Sequence, residues 1–366
     1  MPMPNTILKS DFFEKFIIRK FYAPKLKHKT NFFRLLALAQ RAGLGLRDSL
    51  ISIQKSETNK GLIMIIQDLI DQLTQWYTLS KAMSNHDYFF HEDEIALVQS
   101  AETMGNLPEI LQEISDEGEN NQKILQKIKK AAAYPAILVV FAIIAVTILL
   151  IYVIPTIVSM FPSQDSLPGI TKFMLGASSF IKSTWYLLIL MVIGIIVLYK
   201  VLYKYFLPFK ILIDRILLSI PAIAGVIKTF YMYKFSRLLG QLYSAGVNPV
   251  LALSLMSNSF GNFFYRKKAI EIGTNLKAGF SFAESMEWST LFDPILIQII
   301  HVGEETGNIG EVLKKMSEFY RDLLQNKIDI LMSFLEPILM SLIAIVIGII
   351  VGSIFIPMAD LVNVIK

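Results

Sequence analysis

Two stretches of the chain carry the same pattern, RLLALAQRAGLGLRDSL at residues 34–50 and RLLGQLYSAGVNPVLAL at residues 237–253. Six of the seventeen aligned positions are identical, and no gap is needed to align them. A match of this length within one chain is the usual mark of an internal repeat. The sequence therefore predicts two copies of one structural module.

A second block of matching residues follows in each copy, and it supports the duplication. The first copy has Glu102, Gly105 and Asn106, and the second has Glu304, Gly307 and Asn308. The offset between the copies has slipped by one residue here, as a single deletion in a loop would cause. Each block lies between two helical patterns, so its glycine or asparagine is expected to take a positive φ at a turn.

The glutamate of each block has two interpretations. As a structural residue, it caps a backbone amide or pairs with a basic residue of the neighbouring helix. As a functional residue, it forms a contact point for a partner, together with Glu305 in the second copy. A calcium site would need more oxygen ligands than such a block supplies. No metal site is therefore predicted there.

Apolar residues recur at intervals of three and four within both copies, which is typical of amphipathic helices. In the first copy Leu62, Ile65, Ile66 and Leu69 show this spacing. Patterns typical of strands are nearly absent. Each copy is therefore predicted to be a bundle of about five or six helices.

The bulk composition indicates a membrane protein. The chain has 366 residues, 54% of them hydrophobic, and its mean hydropathy of +0.51 is high for a water-soluble protein of this length. The net charge of +5 comes mostly from basic residues beside apolar segments, so it does not indicate nucleic-acid binding. Cysteine is absent, which excludes disulfides and thiolate chemistry. The first residues lack the apolar core and cleavage site of a signal peptide.

Three segments are long and apolar enough to span a bilayer. The first begins at Ala131 and has no charged residue up to Gln164. The second lies between Lys182 and Lys200, with Trp185 and Tyr186 as interfacial anchors. The third covers residues 331–358. Together with the repeat, these segments predict an all-α membrane protein with two homologous cytoplasmic helical-bundle domains and three transmembrane helices.

The orientation follows from the basic residues. Lysines cluster before the first span and after the second, whereas the loop between those spans holds only Lys172 and Lys182. By the positive-inside rule, the N-terminus and both copies are cytoplasmic. The expected segments are a basic and aromatic leader (1–30), copy one (31–130), span one (131–157), an outer loop (158–183), span two (184–207), copy two (208–330), span three (331–358) and an outer tail (359–366).

Prolines lie at the expected ends of the spans, at Pro135, Pro155, Pro337 and Pro357. The first interpretation is that they begin and end helices, where proline is tolerated. The second is that they are hinges between the cytoplasmic domains and the membrane. Glu336 lies at a shallow depth in the last span, where a carboxylate is either paired, capping or functional.

The sequence contains no recognisable catalytic set. There is no phosphate-binding loop of the Gly-x-x-x-x-Gly-Lys type and no His-Glu-x-x-His pair. The polar cluster between His86 and Glu94 has side chains that zinc binds, but we interpret it as a solvated loop between helices. The acidic run between Glu109 and Glu119 is interpreted as a solvated helix face, with Glu119 and Lys123 paired one turn apart. We therefore predict no enzymatic activity and no cofactor.

Short motifs occur in a fixed order along the chain, mostly at the ends of the spans. They are Ala133-Tyr134-Pro135, Val153-Ile154-Pro155, Leu167-Pro168-Gly169-Ile170-Thr171, the turn from Glu304 to Asn308, Glu336-Pro337 and Ile356-Pro357. In order and spacing they resemble the motifs of the type II secretion system protein F family, which provides the inner-membrane platform of type II secretion and type IV pilus machines. The resemblance covers nearly the whole chain. The first copy departs from the pattern with Ala101 where the second has Gly303.

The resemblance implies a non-enzymatic platform in the bacterial inner membrane. Its implied partners are a hexameric assembly ATPase, pilins or pseudopilins, other inner-membrane assembly components, the lipid bilayer and further copies of the chain, without nucleic acid. The ATPase would dock below the cytoplasmic domains, and pilin subunits would be extracted from the membrane. Two alternatives stay open: the platform of a competence DNA-uptake pseudopilus, and an oligomeric channel or transporter.

Overall fold

The structure, a computed structural model, describes residues 24–159, 169–287 and 289–364, with side chains as far as Ile356. The described residues form helices and no strand, which confirms the all-α prediction. The helices are α1 (Leu26–Arg41), α2 (Leu46–Ser56), α3 (Lys60–Thr74), α4 (Leu79–Met83), α5 (Glu92–Met104), α6 (Leu107–Ile148), α7 (Ile154–Val158), α8 (Gly169–Tyr205), α9 (Leu207–Ser219), α10 (Pro221–Ser244), α11 (Pro249–Ser259), α12 (Phe263–Lys277), α13 (Phe282–Met286), α14 (Pro294–Glu305) and α15 (Ile309–Val364).

The helices of the two copies correspond one to one. Helix α2 begins at Leu46 and α11 at Pro249, an offset of 203 residues, and the same offset holds as far as α4 and α13. From α5 and α14 onward the offset is 202, as Glu92 and Pro294 show. The deletion inferred from the sequence therefore lies in the connection between α13 and α14. In the described residues each copy contributes six helices, the last being the start of α6 or α15.

The chain divides into two compact units. Of the described residues, those at 24–126 and 217–325 form the first, which we call the helical unit, and those at 127–216 and 326–364 form the second, the apolar unit. Both copies of the module belong to the helical unit. Two copies that are far apart in the sequence thus pack as one body.

The core of each copy is built from the apolar faces that the spacing predicted. In copy one, the rings of Phe32 and Phe33 on α1 both lie 5.9 Å from that of Phe90, and all three are buried. In copy two, Tyr231 stacks on Tyr265 at 4.2 Å between ring centroids. Burial of large side chains is the main source of stability for such helices, since helices this short are marginal alone.

Among the described residues, three helices are long and apolar enough to cross a membrane: the one ending in α7, α8, and α15. This confirms the number of spans expected from the sequence. Most of their large apolar side chains are exposed on the protein surface, including Trp185, Leu190 and Phe355. Surfaces of this kind are stable against lipid or another apolar partner and not against water.

One end of the apolar unit has a buried core of its own. Leu150, Ile154 and Val158 pack there against Ile350 of α15. Thr171 at the start of α8 donates a hydrogen bond of 2.7 Å to the backbone oxygen of Ser353. The apolar unit is therefore held together at this end by both packing and a buried hydrogen bond.

The prediction that the prolines begin and end helices is wrong for Pro135 and Pro337, which lie inside the continuous helices α6 and α15. Pro155 does not end the helix either. A π-helical turn, Leu149–Val153, precedes it, and the Ile154 amide donates to the Leu149 oxygen five residues back. A wider turn makes room for a ring that would otherwise clash with the carbonyl four residues before it. The location of these prolines at the membrane boundary stays a prediction.

The expected outer loop is helical from Gly169 onward, because α8 begins there. Helix α8 has a kink at Thr184, where φ is −126°. Several predicted features lie outside the described residues: the leader up to residue 23, the Leu167-Pro168 motif, the side chain of Pro357 and the last two residues of the tail.

Candidate functional site: the paired corners and the interface between the copies

The Glu102 corner of copy one ties two helices together. The Glu102 carboxylate near the end of α5 accepts hydrogen bonds from the Leu79 amide at 2.5 Å and from the Ser80 amide at 3.3 Å. The Ser80 hydroxyl also donates to it, at 2.5 Å. These amides belong to the first turn of α4, where backbone donors have no partner inside the helix. The carboxylate therefore caps α4 and favourably meets the positive end of its dipole.

Copy two repeats this arrangement. The Glu304 carboxylate accepts from the Phe282 amide at 2.5 Å and from the Ala283 amide at 3.1 Å, at the start of α13. The acceptor atoms of both glutamates are thus used inside the module, which is the structural interpretation of the corner. The role of the corners as partner contacts stays a prediction.

The glycines of the corners have the backbone conformation that the sequence indicated. Gly105 has φ +77° and Gly307 has φ +69°, in the left-handed region that disfavours a side chain. The amides of Asn106 and Asn308 then donate back to Ala101 and Gly303, closing each helix end. The Asn308 side chain also donates to Glu311 at 2.7 Å. Each corner is therefore a tight turn that ends one helix just before the next begins.

Glu305 differs from its neighbour Glu304. Its carboxylate is largely exposed and lies 3.4 Å from the His301 ring nitrogen one turn earlier. It accepts no backbone amide among the hydrogen bonds of the described residues. Of the acidic residues at the two corners, Glu305 is therefore the one whose charge faces solvent.

The copies meet where α5 of copy one packs on α10 and α11 of copy two. The Ser100 hydroxyl donates to the backbone oxygen of Ala245 at the end of α10. At the end of α11, the Ser259 hydroxyl donates to the buried Asp93 carboxylate at 3.0 Å. Met104 fills the space over Gly246, where an added Cβ would clash with its terminal methyl.

Helix α6 adds a charged layer to this interface. Lys314 of copy two lies 3.1 Å from the Glu113 carboxylate. With its amide oxygen toward Arg237, Gln241 accepts from the guanidinium at 3.1 and 3.2 Å and donates to the Glu117 carboxylate at 2.9 Å. The interface between the copies thus contains a connected polar network, which specifies one relative position of the two copies.

A cavity of about 470 Å³ lies beside this network within the helical unit. Its walls include the carboxylates of Asp93, Glu94 and Glu117 and the ammonium groups of Lys29 and Lys234. Burial, and next the Asp93 charge, raise the pKa of Glu117 to about 7, against the opposing effect of Arg237. Burial also lowers the pKa of Lys234. Lys29 is paired with Glu94 at 2.8 Å.

The interpretation of the His86 to Glu94 cluster as a solvated loop is wrong for its two buried members. His86 is buried, and its ring nitrogens lie 2.6 Å from the Asp68 carboxylate and 3.2 Å from the Tyr88 hydroxyl. Asp93 is buried by the second copy. No three His, Asp or Glu side chains of the described residues converge as metal ligands do. The cluster is polar because it lies at interfaces between helices.

The interpretation of the acidic run on α6 as a solvated helix face fits Glu119 and does not fit Glu117. Glu119 pairs with Lys123 at 3.1 Å, as predicted, and also with Arg34 at 2.8 Å. Glu117, however, is half-buried and faces Gln241 of the other copy. The signal missed in the sequence is its position two residues before Glu119, which turns it to a different side of the helix.

Trp76 is a further residue that the sequence analysis missed. It has φ +66° and its side chain is 96% exposed. Its counterpart in copy two is Gly279, with φ +94°, at the same turn before the capped helix. A bulky residue in the left-handed region is strained by about 1–3 kcal/mol. The sequence signal was a tryptophan aligned with a glycine of the repeat.

Comparison with known proteins agrees with this architecture. A family model described as "Type II secretion system (T2SS), protein F" matches residues 32–155 and again residues 235–357, so that the two matches together cover more than half of the chain. A type IV pilus assembly protein PilC of Pseudomonas aeruginosa is 27% identical over 91% of this chain and 90% of its own length. A type IV pilus assembly protein TapC of Aeromonas hydrophila is 29% identical over 87% and 78%, respectively. A type II secretion system protein F of Vibrio cholerae is 26% identical over 90% and 81%.

Proposed function

Because the chain belongs to the type II secretion system protein F family, we propose that it is the inner-membrane platform protein of a type IV pilus or type II secretion assembly machine. One observation carries this proposal: two copies of a six-helix module pack into one compact unit, and the same chain supplies three helices fit to cross a membrane. The family match and the names of the relatives support a role in such a machine.

The proposed mechanism is mechanical. A hexameric assembly ATPase docks on the helical unit and moves it, and the motion is used to extract pilin or pseudopilin subunits from the bilayer. The polar network and the capped corners make the helical unit rigid enough to move as one body. The exposed apolar side chains of α8 offer a surface that suits either lipid or the apolar stem of a pilin.

We assign the contact with the ATPase to the turn that carries Trp76. Tyr77 beside it is also about half exposed, so the turn presents two aromatic rings to solvent. Tryptophan and tyrosine are the residues that most often dominate binding energy at protein interfaces. A strained backbone that holds such a ring outward is typical of a site selected for contact.

The first test is co-purification from the native host. The tagged full-length protein is extracted in mild detergent, and its partners are identified by mass spectrometry. We expect an assembly ATPase and a pilin-like protein in the eluate, and the identity of the pilin would name the machine. A clean oligomer without either partner, or normal filament assembly in a strain that lacks the protein, would contradict the proposal.

A substitution in the same preparation tests the contact. Trp76→Gly introduces the residue that copy two has at this turn and relieves the backbone strain, so the stability should change by about 1 kcal/mol or less. We expect recovery of the ATPase to fall about tenfold or more, as for a central interface tryptophan. The matched control is Leu251→Ala, at an exposed apolar residue of α11. Equal recovery from both variants would exclude the turn as the contact.

A further inference from the structure

The interface between the copies uses different surfaces of the two modules. Copy one contributes α5 and the start of α6, and copy two contributes α10, α11 and Lys314 at the start of α15. Apart from the α6 and α15 contact, the two partners present different patches, so the interface is mainly head-to-tail. Since the modules are homologous, each surface exists once more in the chain.

The unused equivalents can be named by position. On copy two, Ile295, Val302 and Phe319 correspond to Asp93, Ser100 and Glu117; we call these three the open donor face. On copy one, Leu35, Leu38 and Ala42 correspond to Leu238, Gln241 and Ala245; we call these three the open acceptor face.

Both open faces are apolar and exposed. Leu35 is 41% exposed, whereas its counterpart Leu238 is 1% exposed. Leu38 is 52% exposed against 6% for Gln241. On the donor side, the exposed fractions are 52% for Ile295, 49% for Val302 and 50% for Phe319. The acceptor surface is thus buried on copy two, where the copies meet, and its equivalent is exposed on copy one.

The chemistry of the two open faces is matched. Inside the chain, Glu117 pairs with Gln241 through a hydrogen bond. At the equivalent positions the open faces have Phe319 and Leu38, so a polar pair is replaced by an apolar pair on both sides. Likewise Ser100 beside Ala245 becomes Val302 beside Ala42. Because both surfaces are apolar at the positions where the internal contact is polar, a contact between them is favoured over exposure of each surface to water.

The charges at the edge of this contact are compatible with it. Arg34 and Lys315 are the equivalents of Arg237 and Glu113, and two basic residues would repel each other if unpaired. Arg34 already pairs with Glu119 at 2.8 Å, and Lys315 with Glu311 at 2.9 Å. Each positive charge is thus balanced within its own copy.

We propose that a second copy of this chain docks here, with the open donor face of one molecule on the open acceptor face of the next. The contact repeats between molecules the head-to-tail packing that joins the two copies within one molecule. Repetition of a head-to-tail contact produces a closed ring or an open row of molecules.

Cysteine cross-linking tests the contact, because the chain contains no cysteine of its own. Ala42→Cys and Val302→Cys are introduced into two differently tagged full-length chains, which are expressed together and oxidised in isolated membranes. We expect a disulfide-linked dimer that carries both tags. Neither variant expressed alone should cross-link. The matched control is the single chain with Ser100→Cys and Ala245→Cys, which should close a disulfide inside one molecule.

Each result decides the question. If the control closes its disulfide and the mixed chains do not link, the two faces do not meet and the proposal is wrong. If Val302→Cys links to itself, the contact is two-fold symmetric and the proposal is wrong.

A charge at the centre of the contact provides an independent readout. Phe319→Glu in the Val302→Cys chain should lower the yield of mixed dimer at least tenfold. Leu38→Gln in the partner chain should then restore most of the yield, because it transfers the Glu117–Gln241 pair to the interface between molecules. Ile270→Glu, at an exposed residue of α12 outside both faces, should leave the yield unchanged. Loss without restoration would contradict the assigned register.

Discussion

At the residue scale, Glu304 and Glu305 are adjacent glutamates with different tasks. Glu304 satisfies two amides at the start of α13, whereas Glu305 faces solvent. Glu304→Ala should lower the free energy of unfolding by about 1–3 kcal/mol, because it leaves donors without a partner. Glu305→Ala should change it by less than about 0.5 kcal/mol. Thermal or denaturant unfolding of the purified protein measures both, and equal effects would contradict the capping role.

Glu117 should make the helical unit less stable as the pH rises. Its folded-state pKa is raised to about 7 from an ordinary 4.5, so the folded protein binds the proton more tightly than the unfolded chain. The stability present near pH 5 is therefore lost between about pH 5 and pH 7. Glu117→Gln should raise the Tm at pH 8 by roughly 2–4 °C, the effect of about 1 kcal/mol in a domain of this size, and should change it little at pH 5.

The comparison of pH values serves as the control for this prediction. A variant that only improves packing would shift the Tm equally at pH 5 and pH 8. A Tm difference that does not grow with pH would therefore contradict a raised pKa of Glu117. Glu119→Gln is a useful reference variant, because the pKa of Glu119 is lowered by its Lys123 partner.

The sequence predicted those residues whose role depends on local spacing. The Glu102 and Glu304 caps and the Gly105 and Gly307 turns follow from motifs that recur in both copies. Glu117 could not be recognised, because its partner Gln241 comes from the other copy and from a face that only the packing brings near. Residues whose environment is created by tertiary contacts cannot be identified from local patterns.

At the element scale, helix type was predictable and helix continuity was not. Proline was expected to end helices, since it lacks the amide donor and crowds the preceding turn. Helices α6 and α15 nevertheless continue through Pro135 and Pro337. Apolar side chains on both flanks favour continued helix, since an interrupted backbone in a bilayer would leave polar groups without partners. At Pro155 the π-helical turn provides the same continuity.

At the scale of the whole molecule, the sequence predicted the duplication but not the packing of the copies. Similarity between the two modules shows common structure and contains no information about contact between them. The contact rests on residues that differ between the copies. Ser100 and Asp93 of copy one take part in it, whereas copy two has Val302 and Ile295 at the equivalent positions. Divergence between repeats was therefore the informative signal, and it can be recognised only once the interface is known.

The packing of the copies also constrains the membrane topology. Because both copies belong to one compact unit, they must lie on the same side of the membrane. The chain between them contains two of the three candidate spans, an even number, so it returns to the side from which it left. We therefore expect the residues after the third span to lie on the opposite side. The lysines beside the spans predict that the side of the copies is the cytoplasm.

Single cysteines in this cysteine-free chain test that orientation. Ile270→Cys places an exposed thiol on α12 of copy two, and Ser179→Cys places one on α8 before the kink at Thr184. A membrane-impermeant maleimide should label Ser179→Cys in intact spheroplasts, and Ile270→Cys only after the membrane is opened. The reverse pattern would place the copies outside and contradict an ATPase partner. Labelling of both in intact spheroplasts would mean that the span predicted between them does not cross the membrane, and it would contradict the predicted topology.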